Sequence, residues 1–460
     1  MRKTVLFLMN GFGIEQSDSY NVYNSKLMPN LDSYTQKYLF STIESKEYNF
    51  KDGYRMFSTG NNVALTYPLM NNYMENFGAN SNMNFYLNNI SNESRIQLFM
   101  FIKNEQSLNH LKHFLSFIRT KKTNPIFIHL VLTSDDLNNY KELEHIITKI
   151  NYDYKECKVS TIIGKNVLTS QNLSTYMNLL KNEVGEKWIE IQRKFKALFS
   201  SKISPFDSKE FYVNDGFRLK DNDTFFFFNY EYVDLTNFLN NINSLCPNSK
   251  HFSMFQIKGI QYAMFAYPMS GKSMVESLKN IGARALILTE PAYMPYTNYM
   301  VNGLSNEIPE NISYSRTDVN FGASQLQTII KNSNYDLIII DYHIDNVTTI
   351  NELKDKLSKL DKIIGLTHDI CVENDVTLFI SSLYGMNKEL KIDNFMKAFI
   401  NFSTKVPVLV IDSVFNKINF RLDFGNVHTL ANTVYTNINK KYVGDVLIKK
   451  KGYLSKAIKK

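Results

Sequence analysis

Three short stretches of this chain carry side chains of the types and spacing that could do chemistry. Tyr335-Asp-Leu-Ile-Ile-Ile340 is an apolar run that continues into Asp341-Tyr-His-Ile-Asp-Asn-Val-Thr-Thr-Ile350. If the strand persists, Asp341 and His343 stand two residues apart and point to one side, a carboxylate and an imidazole spaced to hold a metal ion together. Arg55-Met-Phe-Ser-Thr-Gly-Asn-Asn62 contains Ser58, which by itself reads as a turn hydroxyl in a loop, since serine chemistry needs an adjacent base or metal to activate the hydroxyl. Lys3-Thr-Val-Leu-Phe-Leu-Met-Asn-Gly-Phe-Gly13 reads as a buried strand running into a tight Gly-containing turn. That turn presents Asn10 at the strand's C-terminal edge, where α/β sheets place their ligands. Two weaker signals complete the set. Met269-Ser-Gly-Lys-Ser273 has the tail of a phosphate loop, but Ala266 occupies the position that needs Gly. His110 and His113 share a face of a helix that starts near Leu108, the spacing of ordinary helix-surface histidines.

The elements that must position these residues follow from apolar periodicity. Strand-like runs cover Val5 to Met9, Ile96 to Ile102, Pro125 to Leu132, Thr224 to Phe228, Gln261 to Tyr267, Ala285 to Thr289, Leu337 to Ile340, Val376 to Ser381 and Val406 to Ile411. Amphipathic helical patterns lie between them, at Pro29 to Lys37, Leu108 to Arg119, Gly185 to Leu198, Gly271 to Ile281, Ala323 to Asn332 and Ile350 to Ile363. Alternation of the two periods predicts α/β layers. A chain of 460 residues with 44% hydrophobic content can bury two medium cores, so two domains are expected.

Composition narrows the setting. Three cysteines, Cys157, Cys246 and Cys371, are odd in number and far apart, which is neither a disulfide framework nor a zinc spacing. The apolar run after Arg2 and Lys3 ends at Asn10, too soon for a signal peptide, and no stretch reaches the roughly 18 to 20 apolar residues of a membrane span. These features predict a cytoplasmic protein. A net charge of +8 is partly concentrated in Lys449 to Lys460, a basic tail read as a solvated face and a secondary candidate for contact with an anionic partner. No nucleic-acid recognition signature is present.

Read in order, several segments resemble the cofactor-independent (2,3-bisphosphoglycerate-independent) phosphoglycerate mutases of the alkaline phosphatase superfamily. The first strand with Asn10, Pro29-Asn-Leu-Asp32, Ile96-Gln-Leu-Phe99, Gly216 to Asn229, Tyr335 to Ile340 and Val406-Pro-Val-Leu-Val410 each match a family segment, and they keep the family's order across nearly the whole chain. The resemblance implies a doubly wound alkaline-phosphatase-like domain made of residues 1–77 and 266–460, with an α/β transferase-like domain, 78–265, inserted. It also implies the chemistry: a serine that carries the phosphoryl group, two manganese ions that activate it, and arginines that hold a phosphoglycerate.

Carried over residue by residue, most of that machinery is replaced. The resemblance puts a metal-binding Asp at Asn10, the nucleophile at Ser58, the aspartate of an Asp-x-x-x-His pair at Asp345 with Thr349 or Ile350 in place of the histidine, and an Asp-His pair at Leu383 and Tyr384. The last metal histidine falls on Asn401, with Lys405 close by. Leucine has no donor atom, so no loop movement restores coordination there. On the substrate side, the clamp arginines fall on Glu231 and Asp234, an Asp-Gly-Arg-Asp loop on Thr133-Ser-Asp-Asp136, and the general acid/base histidine on Leu108. Two carboxylates facing a phosphate replace attraction with repulsion. Lys165 is a surviving cation that could stand in for an arginine. The expectation is therefore a degenerate, non-catalytic homologue without a metal cofactor, acting as a binding, scaffold or regulatory protein through an unidentified protein partner. The alternatives are a transferase rebuilt in the interdomain cleft, with Ser58 or Asp341 and His343 in new roles, and an active manganese-dependent mutase.

Overall fold

The computed structural model describes residues 1–14, 26–45, 50–61, 66–75, 81–102, 105–132, 140–154, 157–168, 173–185, 187, 210–230, 233–254, 257–258, 260, 273–291, 293–294, 297, 310–316, 322–393, 396–401, 405–439 and 446–451. The chain divides into two compact units, one formed by Met1–Leu65 with Pro268–Lys460 and one by Thr66–Tyr267. In the first unit, β1 (Thr4–Asn10) is buried along its whole length, as a strand covered on both faces must be. Helix α1 (Pro29–Lys37) begins at a proline, whose missing N–H is one the first turn leaves unpaired anyway. A remote carboxylate caps it: Asp361 accepts the backbone N–H groups of Asn30 at 3.1 Å and Leu31 at 2.9 Å. Strand β2 (Leu39–Glu44) and helix α2 (Phe50–Thr59) follow.

The second unit opens with α3 (Thr66–Glu75) and α4 (Ser81–Asn88) and then alternates strictly: β3 (Ile96–Ile102), α5 (Glu105–Arg119), β4 (Ile126–Leu132), α6 (Tyr140–Asp153), β5 (Cys157–Gly164) and α7 (Leu173–Asn182). After β6 (Glu210–Tyr212) come β7 (Thr224–Phe228), β8 (Val233–Asp234), α8 (Thr236–Leu245), β9 (Lys250–Ser253) and β10 (Ile257–Lys258). Six strands form one sheet in the order β6-β5-β4-β3-β7-β9, parallel except for β6. Phe99, Phe225, Phe227 and Phe238 fill one face of it.

One polar chain crosses this aromatic core. The guanidinium of Arg95 donates twice to Asp223, from Nε at 2.9 Å and from Nη2 at 2.7 Å. Gln97 Nε2 donates to the same carboxylate at 2.7 Å, which turns its Oε1 toward His129 Nε2 at 2.9 Å. Burial lowers the His129 pKa to about 3, so the ring is neutral. With Nε2 donating to Gln97, Nδ1 is left to accept from Thr161 Oγ1 at 2.8 Å. Every member of the chain is answered, the condition under which buried polar groups sharpen a core.

The first unit resumes with α9 (Met274–Asn280), β11 (Ala285–Thr289), β12 (Ile312–Arg316), α10 (Ala323–Asn332), β13 (Leu337–His343) and α11 (Ile350–Glu373), the last begun by a reciprocal capping box between Thr349 and Glu352. It ends with β14 (Thr377–Ser381), β15 (Asn387–Lys391), β16 (Lys397–Asn401), β17 (Lys405–Ile411), β18 (Phe420–Leu422), α12 (Val427–Asn439) and β19 (Ile448–Lys450). Seven strands make one sheet, β12-β11-β13-β1-β14-β17-β2. Its first five strands are parallel; β17 runs antiparallel to them, and β2, antiparallel to β17, closes that edge in their direction. The molecule is thus mixed α/β with two mainly parallel sheets. The strand run expected at Gln261 to Tyr267 lies outside the described residues, and the helix expected at Gly185 to Leu198 falls almost entirely outside them. No helix among the described residues is long and apolar enough to cross a membrane.

Replacing Asp223 by Ala leaves Arg95 with the backbone carbonyls of Gly216 and Arg218 and the Gln97 amide with that of Phe217, without the carboxylate they share. The expected cost is roughly 2 to 3 kcal/mol. Hydrogen exchange of the β3 and β4 amides measures it, with Asp223→Asn, which keeps an acceptor, losing less protection.

Candidate functional site

Because β1 pairs in parallel with both β13 and β14, all three C-terminal ends come to the same edge of the sheet. The register sets Asn10 beside His343 and Leu8 beside both Asp341 and Ser381. Period-two alternation then sends Asp341 and His343 to one side, and the turn after β14 brings Leu383 and Tyr384 over the end of β1. Gly11 makes this closure possible. Its backbone has φ +89°, and a Cβ there would lie 2.9 Å from the Cβ of Asp345. Gly53 does the same for α2: a Cβ would fall 2.5 Å from the carbonyl oxygen of Leu383, so the helix packs directly on that turn.

At the centre lies Asn10, fully buried. The N–H of Leu383 donates to its Oδ1 at 3.0 Å, and a backbone N–H can only donate, which fixes the amide's orientation. Nδ2 must then face the other way. It donates to Asp341 Oδ1 at 2.8 Å and to the Tyr54 hydroxyl at 3.1 Å.

Asp341, equally buried, is saturated. Its Oδ1 accepts from Asn10 and from the Tyr54 hydroxyl and forms an ion pair with His343, 3.2 Å from Nε2. Its Oδ2 accepts from Thr289 Oγ1 at 2.8 Å and Thr297 Oγ1 at 3.2 Å. His343 in turn meets the Tyr384 hydroxyl through Nδ1 at 3.1 Å and stacks flat on the ring of Tyr293, centroids 3.5 Å apart. Tyr384 closes the arrangement by donating to Asp345 Oδ2 at 2.9 Å.

The electrostatics follow from these contacts. Burial works against charge on His343, but Asp341 and then Asp345 outweigh it and raise the imidazole to about 9. Burial likewise opposes ionisation of Asp341, and the His343 charge with the Tyr54 and Thr289 hydroxyls overcomes it, holding the carboxyl below its usual value. The pair is a buried imidazolium and carboxylate at neutral pH. Burial, and then the neighbouring carboxylates, push the Tyr54 and Tyr384 hydroxyls far up, so both stay protonated donors.

Ser58 is in the last turn of α2 rather than in a loop, one turn beyond Tyr54 on the same face. It is buried, and its Oγ has no hydrogen-bond partner among the described residues. Nearby in the same helix, Arg55 pairs with Asp52 at 3.1 Å. Asn401 ends β16, paired with Asn387 of β15, and its side chain is outside the described set, as are those of Lys165 and Asp234. Glu231 and Asp136 lie outside the described residues altogether. His110 is a core residue: it is buried, its Nδ1 meets the Tyr230 hydroxyl at 3.0 Å and its Nε2 meets Asn71, while burial lowers it to about 4. His113 is exposed and Leu108 buried. The residues that sequence reasoning passed over are Tyr54, Thr289, Tyr293 and Thr297. Tyr54 alone had a signal, its four-residue spacing from Ser58. Among the described residues, no group of three His, Cys, Asp or Glu side chains could hold a metal ion.

No protein-family model matches the sequence. The 2,3-bisphosphoglycerate-independent phosphoglycerate mutase of Mycoplasmoides gallisepticum (strain R(low / passage 15 / clone 2)) is 20% identical over 475 aligned positions, which cover 90% of this chain and 93% of that one. The crystal structure of Leishmania mexicana phosphoglycerate mutase at low cobalt concentration has the same fold, with a TM-score of 0.79 at 12% identity and 98% of each chain covered.

Two outcomes follow from the Asn10, Asp341 and His343 contacts. A histidine raised from an unfolded value near 6.5 to about 9 contributes stability that is complete below pH ~6.5 and is lost as pH rises through 9. Urea melts between pH 6 and 9.5 should therefore show a falling midpoint, and His343→Gln should remove that slope. Asn10→Asp sets a second carboxylate against Asp341. Its pKa is driven up, so the variant should lose roughly 3 kcal/mol at pH 7 and distinctly less at pH 4.5, where the new group carries a proton.

Proposed function

We propose that this chain, a member of the 2,3-bisphosphoglycerate-independent phosphoglycerate mutase family within the alkaline phosphatase superfamily, no longer carries out metal-assisted phosphoryl transfer and acts as a non-catalytic binding, scaffold or regulatory protein. The observation that carries this reading is the double commitment of Asn10. The one oxygen it could offer a cation is taken by the Leu383 N–H, and its NH2 group points at the carboxylate a cation would need. A positively polarised donor stands between the two partners of any metal.

The neighbouring residues support the same conclusion. Asp341 already accepts five hydrogen bonds or charge contacts. Leu383 offers only an apolar side chain, and Tyr384 spends its hydroxyl on Asp345. His343 brings a positive charge of its own into the space, which disfavours a divalent ion there. Such a donor set does not fit a pair of divalent cations, and Ser58 lacks any described base to activate it. What remains is a stable two-unit scaffold in a reducing, cytoplasmic setting, whose specificity resides in a protein partner. Affinity purification of the tagged full chain from its host identifies that partner.

The purified protein should interconvert 2- and 3-phosphoglycerate no faster than a protein-free control, with or without manganese. Manganese should leave the thermal midpoint unmoved, and elemental analysis should find no stoichiometric metal. Manganese-dependent turnover that disappears in Ser58→Ala would restore the mutase reading.

A further inference from the structure

We propose that the first unit contains a second binding site, at the opposite end of β1 from Asn10, for a small amphipathic anion: a carboxylate on an apolar body. The site is a cavity of about 410 Å³, within the range of roughly 300 to 1,000 Å³ typical of small-molecule sites. Along a strand rising about 3.3 Å per residue, Arg2 and Asn10 are separated by roughly 26 Å, so the cavity is distinct from the Asp341 cluster.

Its walls divide by chemistry. Phe415, Phe420, Val446 and Ile448 supply apolar surface, with Phe415 and Phe420 meeting edge to face at 5.2 Å. Antiparallel pairing of β18 with β19 explains the composition. Phe420 stands opposite Lys450, and Ile448 lies two residues before Lys450 on the same face of the ribbon, so that face turns two apolar side chains and one cation inward together.

The cations mark the anionic end. Arg2 lies over the Phe415 ring, 5.9 Å from its centroid, and directs Nη2 to both oxygens of Asp412, at 2.9 and 2.8 Å. That leaves Nε and Nη1 without a protein acceptor among the described residues, on a guanidinium held in place by the buried Asp412. Lys450 makes no side-chain hydrogen bond or ion pair among the described residues. Asn437, largely buried in α12, also lines the cavity and is held in place by donating Nδ2 to Thr4 Oγ1 at 2.9 Å. A rigid guanidinium edge beside a mobile ammonium suits a carboxylate. The four apolar residues suit the hydrocarbon attached to it.

Calorimetric titration of the full chain with decanoate, decan-1-ol and acetate tests the assignment. Decanoate should bind saturably at one site, acetate should not, and decan-1-ol should bind at least tenfold more weakly than decanoate, about 1.4 kcal/mol. Lys450→Glu, a change at the cavity rim, should weaken decanoate by at least tenfold with an unchanged thermal midpoint. Val446→Trp, which fills the cavity, should abolish the heat. The proposal is overturned if decanoate binds equally to wild type and to Lys450→Glu, if decan-1-ol binds as tightly, or if nothing binds saturably. Binding to phosphatidylglycerol vesicles without binding of decanoate would assign the cations to a membrane surface and overturn it equally.

Discussion

A buried primary amide with both ends committed is the constraint on which the first unit's ligand edge depends. Asn10 terminates the central strand, between β13 and β14. Its Oδ1 takes the N–H of the turn after β14, and its Nδ2 takes the carboxylate of β13 and the hydroxyl of α2. Four segments are thereby tied at one point. An amide is suited to this because it offers a donor and an acceptor on a side chain short enough to be fully enclosed, and carries no charge to be desolvated. A carboxylate of the same shape has only acceptors, and the point would need a cation or a proton to hold.

Around that amide the charge is balanced internally. Asp341 and His343 neutralise each other, and three uncharged hydroxyls, from Tyr54, Thr289 and Thr297, complete the carboxylate's shell. Burying an ion pair is costly unless hydrogen bonds answer the remaining lone pairs, and on Asp341 four donors do so. The second unit solves a similar problem with the same parts: Gln97 joins Asp223 on one side to His129 on the other, inside a core of phenylalanines. In that case the histidine is neutral, because its neighbours are an amide and a threonine instead of two carboxylates. The contrast shows that the partners, and not burial alone, decide which way an enclosed imidazole titrates.

The two ends of β1 have opposite character. At its C-terminal end side chains close over one another, and the most reactive types are the least exposed. At its N-terminal end a cavity stays open, walled by the β18 and β19 ribbon and by α12. Helix α12 also packs against α2, through Asn432 on the Gly60 carbonyl and Tyr435 beside Phe57. A rigid element therefore runs between the cavity and the helix that carries Tyr54 and Ser58.

The alternating periods of apolar residues determined the α/β class, the positions of β1, β3, β7, β11 and β17, and the inward run of β13, because parallel strands covered on both faces read as unbroken apolar segments. Residue type alone determined that Leu383 offers no ligand atom. The period-two spacing of Asp341 and His343 also foretold that they share a side. Only the tertiary structure decided what they do there. Tyr54 and the segment that holds Thr289, Tyr293 and Thr297 are two separate stretches and carry no spacing that links them to Asp341, since the link is made by strand order and helix packing. The orientation of the Asn10 amide was invisible for the same reason: it depends on an N–H more than 370 residues away in sequence, brought adjacent by the parallel pairing of β1 with β14. His110 read as a surface residue from its three-residue spacing to His113, and the tertiary packing of Asn71 in α3 and of Tyr230 enclosed it.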